Sequence, residues 1–196
     1  MILKALIVAL ALLIYMHVFP QQTRLMQFIP EGYTILDSAS GNLNFDGYND
    51  MVLVLAVKGE DTIHNNPPKR LVEILYGKEG EGYSLATKSL TCIYTRDMGG
   101  VSFSDPYSGI KTDKGSFTIL LYGGMGSGQW SLDVTFKFQG SNSNWHLDQT
   151  DYSLYKIDFS EENDSQSIEV ADNKVKTAKD FGLVRFEEFN VFDFNY

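Results

Sequence analysis

Apolar and polar residues alternate along much of this chain, and the alternation predicts strands. Over residues 130–138 the side chains of Trp130, Leu132, Val134, Phe136 and Phe138 fall on one face, and Ser131, Asp133, Thr135 and Lys137 fall on the other. Such clean alternation belongs to an antiparallel sheet with one face packed and one wet. Residues 116–122 are the expected partner strand, reached through the glycine-rich connection 123–128. Residues 144–149 follow the turn at 140–144, so the three runs read as a meander. The first half repeats the habit, with strands expected at 33–37, 51–57, 70–76, 83–86 and 90–94 and a hairpin signal at 77–82. Helical periodicity is nearly absent. The polar, acidic run 160–167 reads as a loop. Beyond it, aromatic residues at 186, 189, 192 and 194 mix periods of 3 and 2, which leaves a helical turn and a strand both open. The expectation is an all-β chain of antiparallel meander sheets, arranged as a partial propeller or as a sandwich.

The two ends of the pattern differ in kind. Lys4 is followed by an apolar run over 5–15, which reads as an export signal, so residues 1–22 are set apart from a single β-rich domain over 23–196. No small-x-small cleavage site occurs in 16–22. Removal as a signal peptide and retention as an N-terminal membrane anchor therefore both stand, and either places the domain in a bacterial periplasm or cell envelope. The single cysteine, Cys92, sits in the apolar run 90–94 and reads as a core residue; one cysteine cannot build an internal disulfide. A formal net charge of −9, with scattered basic residues, argues against nucleic acid as a partner.

Candidate chemistry centres first on residues 41–50. Asn42, Asn44, Asp46 and Asp50 present side-chain oxygens at alternate positions, the carbonyl of Tyr48 adds another, and Gly47 permits a sharp turn. Hard cations are held by such oxygen sets, so weak, structural binding of Ca2+ is one reading. Only Asp46 and Asp50 carry charge, which sets any affinity on the order of the millimolar values of extracellular modules. Leu53 stands at the twelfth position, where an EF-hand requires Glu. The other reading is a tight turn in which Asn42, Asn44 and Asp46 hydrogen-bond the local backbone.

This loop with the strand after it, the runs 70–76 and 82–86, the segment from Gly99 to Gly124 and the strand 130–138 resemble small exported bacterial proteins related to the FG-GAP and VCBS type repeats. The resemblance spans most of residues 30–158. It implies a β fold, export and a calcium-type loop, and it implies no particular activity. Such repeats build propeller blades in long proteins, whereas one loop of the kind is visible here. Asn42 stands where these loops usually place Asp.

Signatures of catalysis are lacking. His64 lies in a polar loop and His146 on a strand, where it is expected to face solvent, and neither has metal-ligand spacing or a triad partner nearby. No G-x-S-x-G elbow occurs. The run 123–128 has no following Lys and is not a phosphate loop. Two glycine-rich, aromatic segments remain. Phe103 and Tyr107 in one, and Tyr122 and Trp130 around the other, would form a contact surface for a protein or glycan if the fold brought them to one edge. The functional expectation is thus a non-catalytic binding module of the envelope, docking or neutralising another protein such as a toxin. The alternative is a carbohydrate-active hydrolase with paired carboxylates drawn from Asp97, Asp105 and Asp133.

Overall fold

The computed structural model describes residues 25–80, 82–140, 144–160 and 165–193. The proposed signal or anchor at 1–22 lies outside them. Among the described residues, nine antiparallel strands form two sheets. The first runs β1 (Tyr33–Gly41), β2 (Asp50–Val57), β3 (Leu71–Lys78) and β4 (Gly82–Ser89) in order. The second runs β5 (Tyr107–Asp113), β6 (Ser116–Met125), β7 (Gly128–Gln139), β8 (Asn144–Ser160) and β9 (Ser165–Thr177), also in order. The chain is an all-β protein of sandwich type. Among the described residues no helix is long and apolar enough to cross a membrane.

Alternation in the second sheet places Leu132, Val134 and Phe136 of β7 inside, in register with Leu121, Ile119 and Phe117 of β6. Val52, Val54, Val72 and Ile74 of the first sheet share this core. Its densest part is aromatic. Phe117 stacks on Phe136 at 5.3 Å between centroids, and Phe186 meets Phe136 edge-on at 5.0 Å, a geometry that ring quadrupoles favour. Phe186, Phe189 and Val191 of the tail are all buried there. The tail is therefore an irregular plug, neither a full helix nor a strand of a sheet: a turn over 186–188 is followed by a 3-10 turn over Val191–Asp193. Across the layers, Trp145 Nε1 donates to the Tyr76 hydroxyl at 3.1 Å.

The central strands β2 and β3 of the first sheet are buried on both faces, which explains the unbroken apolar run of β2. Met51, Leu53, Leu55, Leu71 and Leu75 face away from the main core and form a second cluster with Leu25, Phe28 and Ile29. Glu73 lies on that same face, opposite Leu53 and Lys88, and is 3 % exposed.

Several expectations are corrected. Residues 90–94 are not a strand but the bent crossing between sheets, with Cys92 and Ile93 plugging the core. Residues 123–128 are not a loose connection, because β6 and β7 continue through them to a two-residue turn at Gly126 and Ser127. The third strand is 17 residues long, well beyond Gln149. Two strands escaped the pattern: β5, hidden in a glycine-rich run, and β9, whose first residues fall in the acidic run taken for a loop.

Burial pushes the Glu73 carboxyl above its ordinary value, with Lys88 pulling the other way, and its Oε2 has no hydrogen-bond partner. A carboxyl raised in the fold favours folding below its unfolded value and loses that advantage as pH rises through the folded one. Glu73→Gln is therefore expected to raise the thermal midpoint at pH 7, with the difference closing below pH 4.5. Melting curves across pH check this; a midpoint lowered by the substitution at pH 7 contradicts it.

Candidate functional site

The oxygen-rich loop is tied by its own backbone. Asp50 is fully buried, and its Oδ2 accepts the amides of Leu43 at 2.7 Å and Asn44 at 3.0 Å while Oδ1 accepts that of Gly77 at 2.9 Å. Burial pushes its carboxyl above the ordinary range, and the three amide bonds act against that rise. Asn44 Oδ1 accepts the Asp46 amide at 3.0 Å and Asp46 Oδ1 accepts the Tyr48 amide at 2.8 Å, two successive Asx turns. Tyr48 and Asp46 are exposed, and Asn42 Oδ1 is buried without a hydrogen-bond partner. The Asn42 carbonyl accepts the Gly115 amide at 3.1 Å, which fastens the loop to the β5–β6 turn. Among the described residues no group of three or more His, Cys, Asp or Glu converges as a metal centre would.

A second knot fixes the other end of the sandwich. Arg70, 1 % exposed at the start of β3, donates to Glu60 Oε1 from Nε at 3.0 Å and from Nη2 at 2.5 Å. It also grips Asp105 with both terminal nitrogens, at 2.8 and 2.6 Å. Burial works against its charge, but the carboxylates of Asp105 and Glu60 outweigh burial and hold the guanidinium above its ordinary pKa. Asp105 Oδ1 further accepts the Tyr107 amide at 3.0 Å. The Tyr107 ring lies 5.9 Å from the guanidinium carbon, and its hydroxyl donates to Asp37 Oδ2 at 2.9 Å. Burial and this bond to Asp37 raise the phenol well above its usual value. Tyr107 is thus committed to the framework rather than displayed.

The two glycine-rich segments do come together. A Cβ on Gly100 would lie 2.5 Å from the Gly124 carbonyl oxygen, and one on Gly123 would lie 2.6 Å from that of Gly99. The backbones touch only because both lack side chains. Around the contact, Val101 is 83 % and Met125 68 % exposed, and Phe103 packs edge-on against Tyr122 at 4.8 Å. The Tyr122 hydroxyl donates to Gln129. Trp130 turns inward instead. With Tyr94, Met98, Leu132 and Tyr152 it lines an open cleft of about 260 Å³. Pattern reading missed Tyr94, Met98 and Tyr152, since the spacing along the chain gives no sign that the crossing segment meets the start of β7 and the middle of β8.

The remaining candidates are dispersed. Asp97 is exposed and accepts the Thr95 hydroxyl, Asp105 is held by Arg70, and Asp133 lies on the outer face of β7 in register with Asp151. His64 is exposed, as expected for a loop residue. His146 is buried rather than solvent-facing, because the segment around Arg185 bridges across it. Burial pushes the Cys92 thiol up to about 12, which makes it unreactive.

This arrangement defines a two-sheet antiparallel sandwich with glycine-backed loops and an aromatic cleft at one end. No family model, no curated protein and no solved structure matches the chain.

Asp50→Ala leaves three amides without an acceptor, those of Leu43 and Gly77 in buried bonds and that of Asn44 in a part-buried one, at about 1–3 kcal/mol for each buried group left unsatisfied. A loss of at least ~2 kcal/mol is expected in denaturant titrations, equal in calcium and in chelator. A loss present only in calcium would assign the loop to the cation instead.

Proposed function

We propose that this protein is a non-catalytic binding module of the bacterial envelope, and that the loop 99–107 and the β6–β7 hairpin end at 123–130 form its contact surface. The supporting observation is the glycine contact between the loops, which presents the exposed side chains of Val101, Phe103 and Met125 beside one another on a braced backbone. Protein surfaces recognise partners through apolar anchors of this kind set on rigid supports. The partner class is a protein of the same compartment, a toxin to be neutralised being one such. The resemblance to FG-GAP and VCBS type proteins supports export and a β framework and does not bear on the partner. Within this reading the loop 42–50 has a structural part, with Asp50 as its anchor.

A photo-activatable cross-linking residue placed at Val101 or at Met125 is expected to capture one partner of defined mass in the native envelope. The same residue at the exposed Ile168 of β9 serves as the control. Adducts that form equally at all three positions, or only at Ile168, contradict the assignment.

A further inference from the structure

The cleft beside the contact surface has a chemistry of its own. Its described lining is Tyr94, Met98, Trp130, Leu132 and Tyr152, with no cationic or anionic side chain. Tyr94 and Trp130 stand at 80° to each other with centroids 6.0 Å apart, so two ring planes bound it at nearly a right angle. Leu132 is fully buried, and Tyr152 lies directly opposite it in the β7–β8 register. Met98, 43 % exposed, sits beside them.

We infer that this cleft binds a compact methylated ammonium group, the head of a choline-like cation. Three physical arguments converge on that class. A flat aromatic or sugar ring stacks best on one broad plane, whereas rings meeting at a corner surround a rounded group whose charge is attracted to aromatic surfaces. A bare metal ion would need oxygen ligands that the lining does not offer, while a methylated ammonium is weakly hydrated and buries its methyl groups against the exposed Met98. The volume is below the roughly 300–1,000 Å³ of drug-sized sites and suits a small head group.

Electrostatics point the same way. The chain carries a formal charge of −9, which raises the local concentration of cations. The inference goes beyond the contact surface and stands apart from it, since cross-linking at Val101 and occupancy of the cleft report separate events.

The test titrates choline chloride into the full chain and follows the indole Nε1–H resonance of Trp130, which is distinct from the hydrogen-bonded indole of Trp145. Potassium chloride controls for ionic strength, and 3,3-dimethylbutanol supplies the same shape without charge. Saturable movement of the Trp130 signal with choline, at least ~10-fold weaker with the neutral alcohol, is the expected result. Tyr152→Phe is expected to keep binding and Tyr152→Leu to weaken it about 10-fold, with the near-ultraviolet spectrum as the check on folding. Sedimentation with phosphatidylcholine vesicles, against phosphatidylglycerol vesicles, tells a lipid head group from a free solute, and either source supports the inference. Equal binding of the alcohol, or no movement beyond that caused by potassium chloride, overturns it without recourse to any variant.

Discussion

Much of this structure depends on the burial of one guanidinium between two carboxylates. Arg70 immediately precedes β3 of the first sheet, Glu60 belongs to a short 3-10 turn ahead of it, and Asp105 ends the loop that leads into the second sheet. A buried charge is tolerable only when paired and hydrogen-bonded, and removing one partner of such a pair costs about 3–5 kcal/mol. The geometry therefore fixes three segments at once. It also orients Tyr107, whose amide is bonded to Asp105 and whose hydroxyl reaches back to Asp37 on β1. The glycine-rich loop after Gly99 is held at its far end by these contacts, and before its near end Arg96 Nη1 donates to the Glu60 carbonyl at 3.5 Å, so its apolar side chains can be displayed without collapsing onto the core.

The opposite edge uses a different device for the same purpose. Asp50 gathers amides from two distant segments, and the loop it organises is fastened to the β5–β6 turn through Asn42 and Gly115. Between these two polar ties lies the aromatic core, closed by Phe186 and Phe189 of the tail. The polar knots set how the sheets are joined, and the apolar interior supplies the larger share of the driving force. An aromatic cleft remains beside the start of β7 and the middle of β8, where the crossing segment 94–98 meets Trp130 and Tyr152.

Some of this was legible in the chain. The inward face of β7 follows directly from its period-2 alternation, and the unbroken apolar run of β2 marks a strand, though not the second cluster on its far side. By contrast β9 is exposed along most of its length, so no buried face imposes a period on its residues. Residues 90–94 carry the composition of a strand because they fill the core, yet they do so as a bend. His146 shows a similar limit: its place on the outward register of β8 predicts exposure, and only the return of the chain at Arg185 covers it. Residues 41–50 show the clearest case. Their oxygens are visible in the sequence, but that Asp50 spends both of its own on backbone amides depends on Gly77, 27 positions away. The Arg70 knot was equally hidden, since its partners lie 10 and 35 positions off and nothing local sets Glu60 and Asp105 apart from surface acids.

The role of Arg70 as the brace of the contact loop is the central claim, and amide hydrogen exchange in Arg70→Met tests it most directly. In the wild type, the Gly99 amide donates to Ser104, that of Ser104 to Gly100, and that of Tyr122 to Pro106. These amides are expected to lose protection in the variant while those of β7 and β8 keep theirs. Unchanged protection in the loop, or an equal loss throughout the chain, would contradict it.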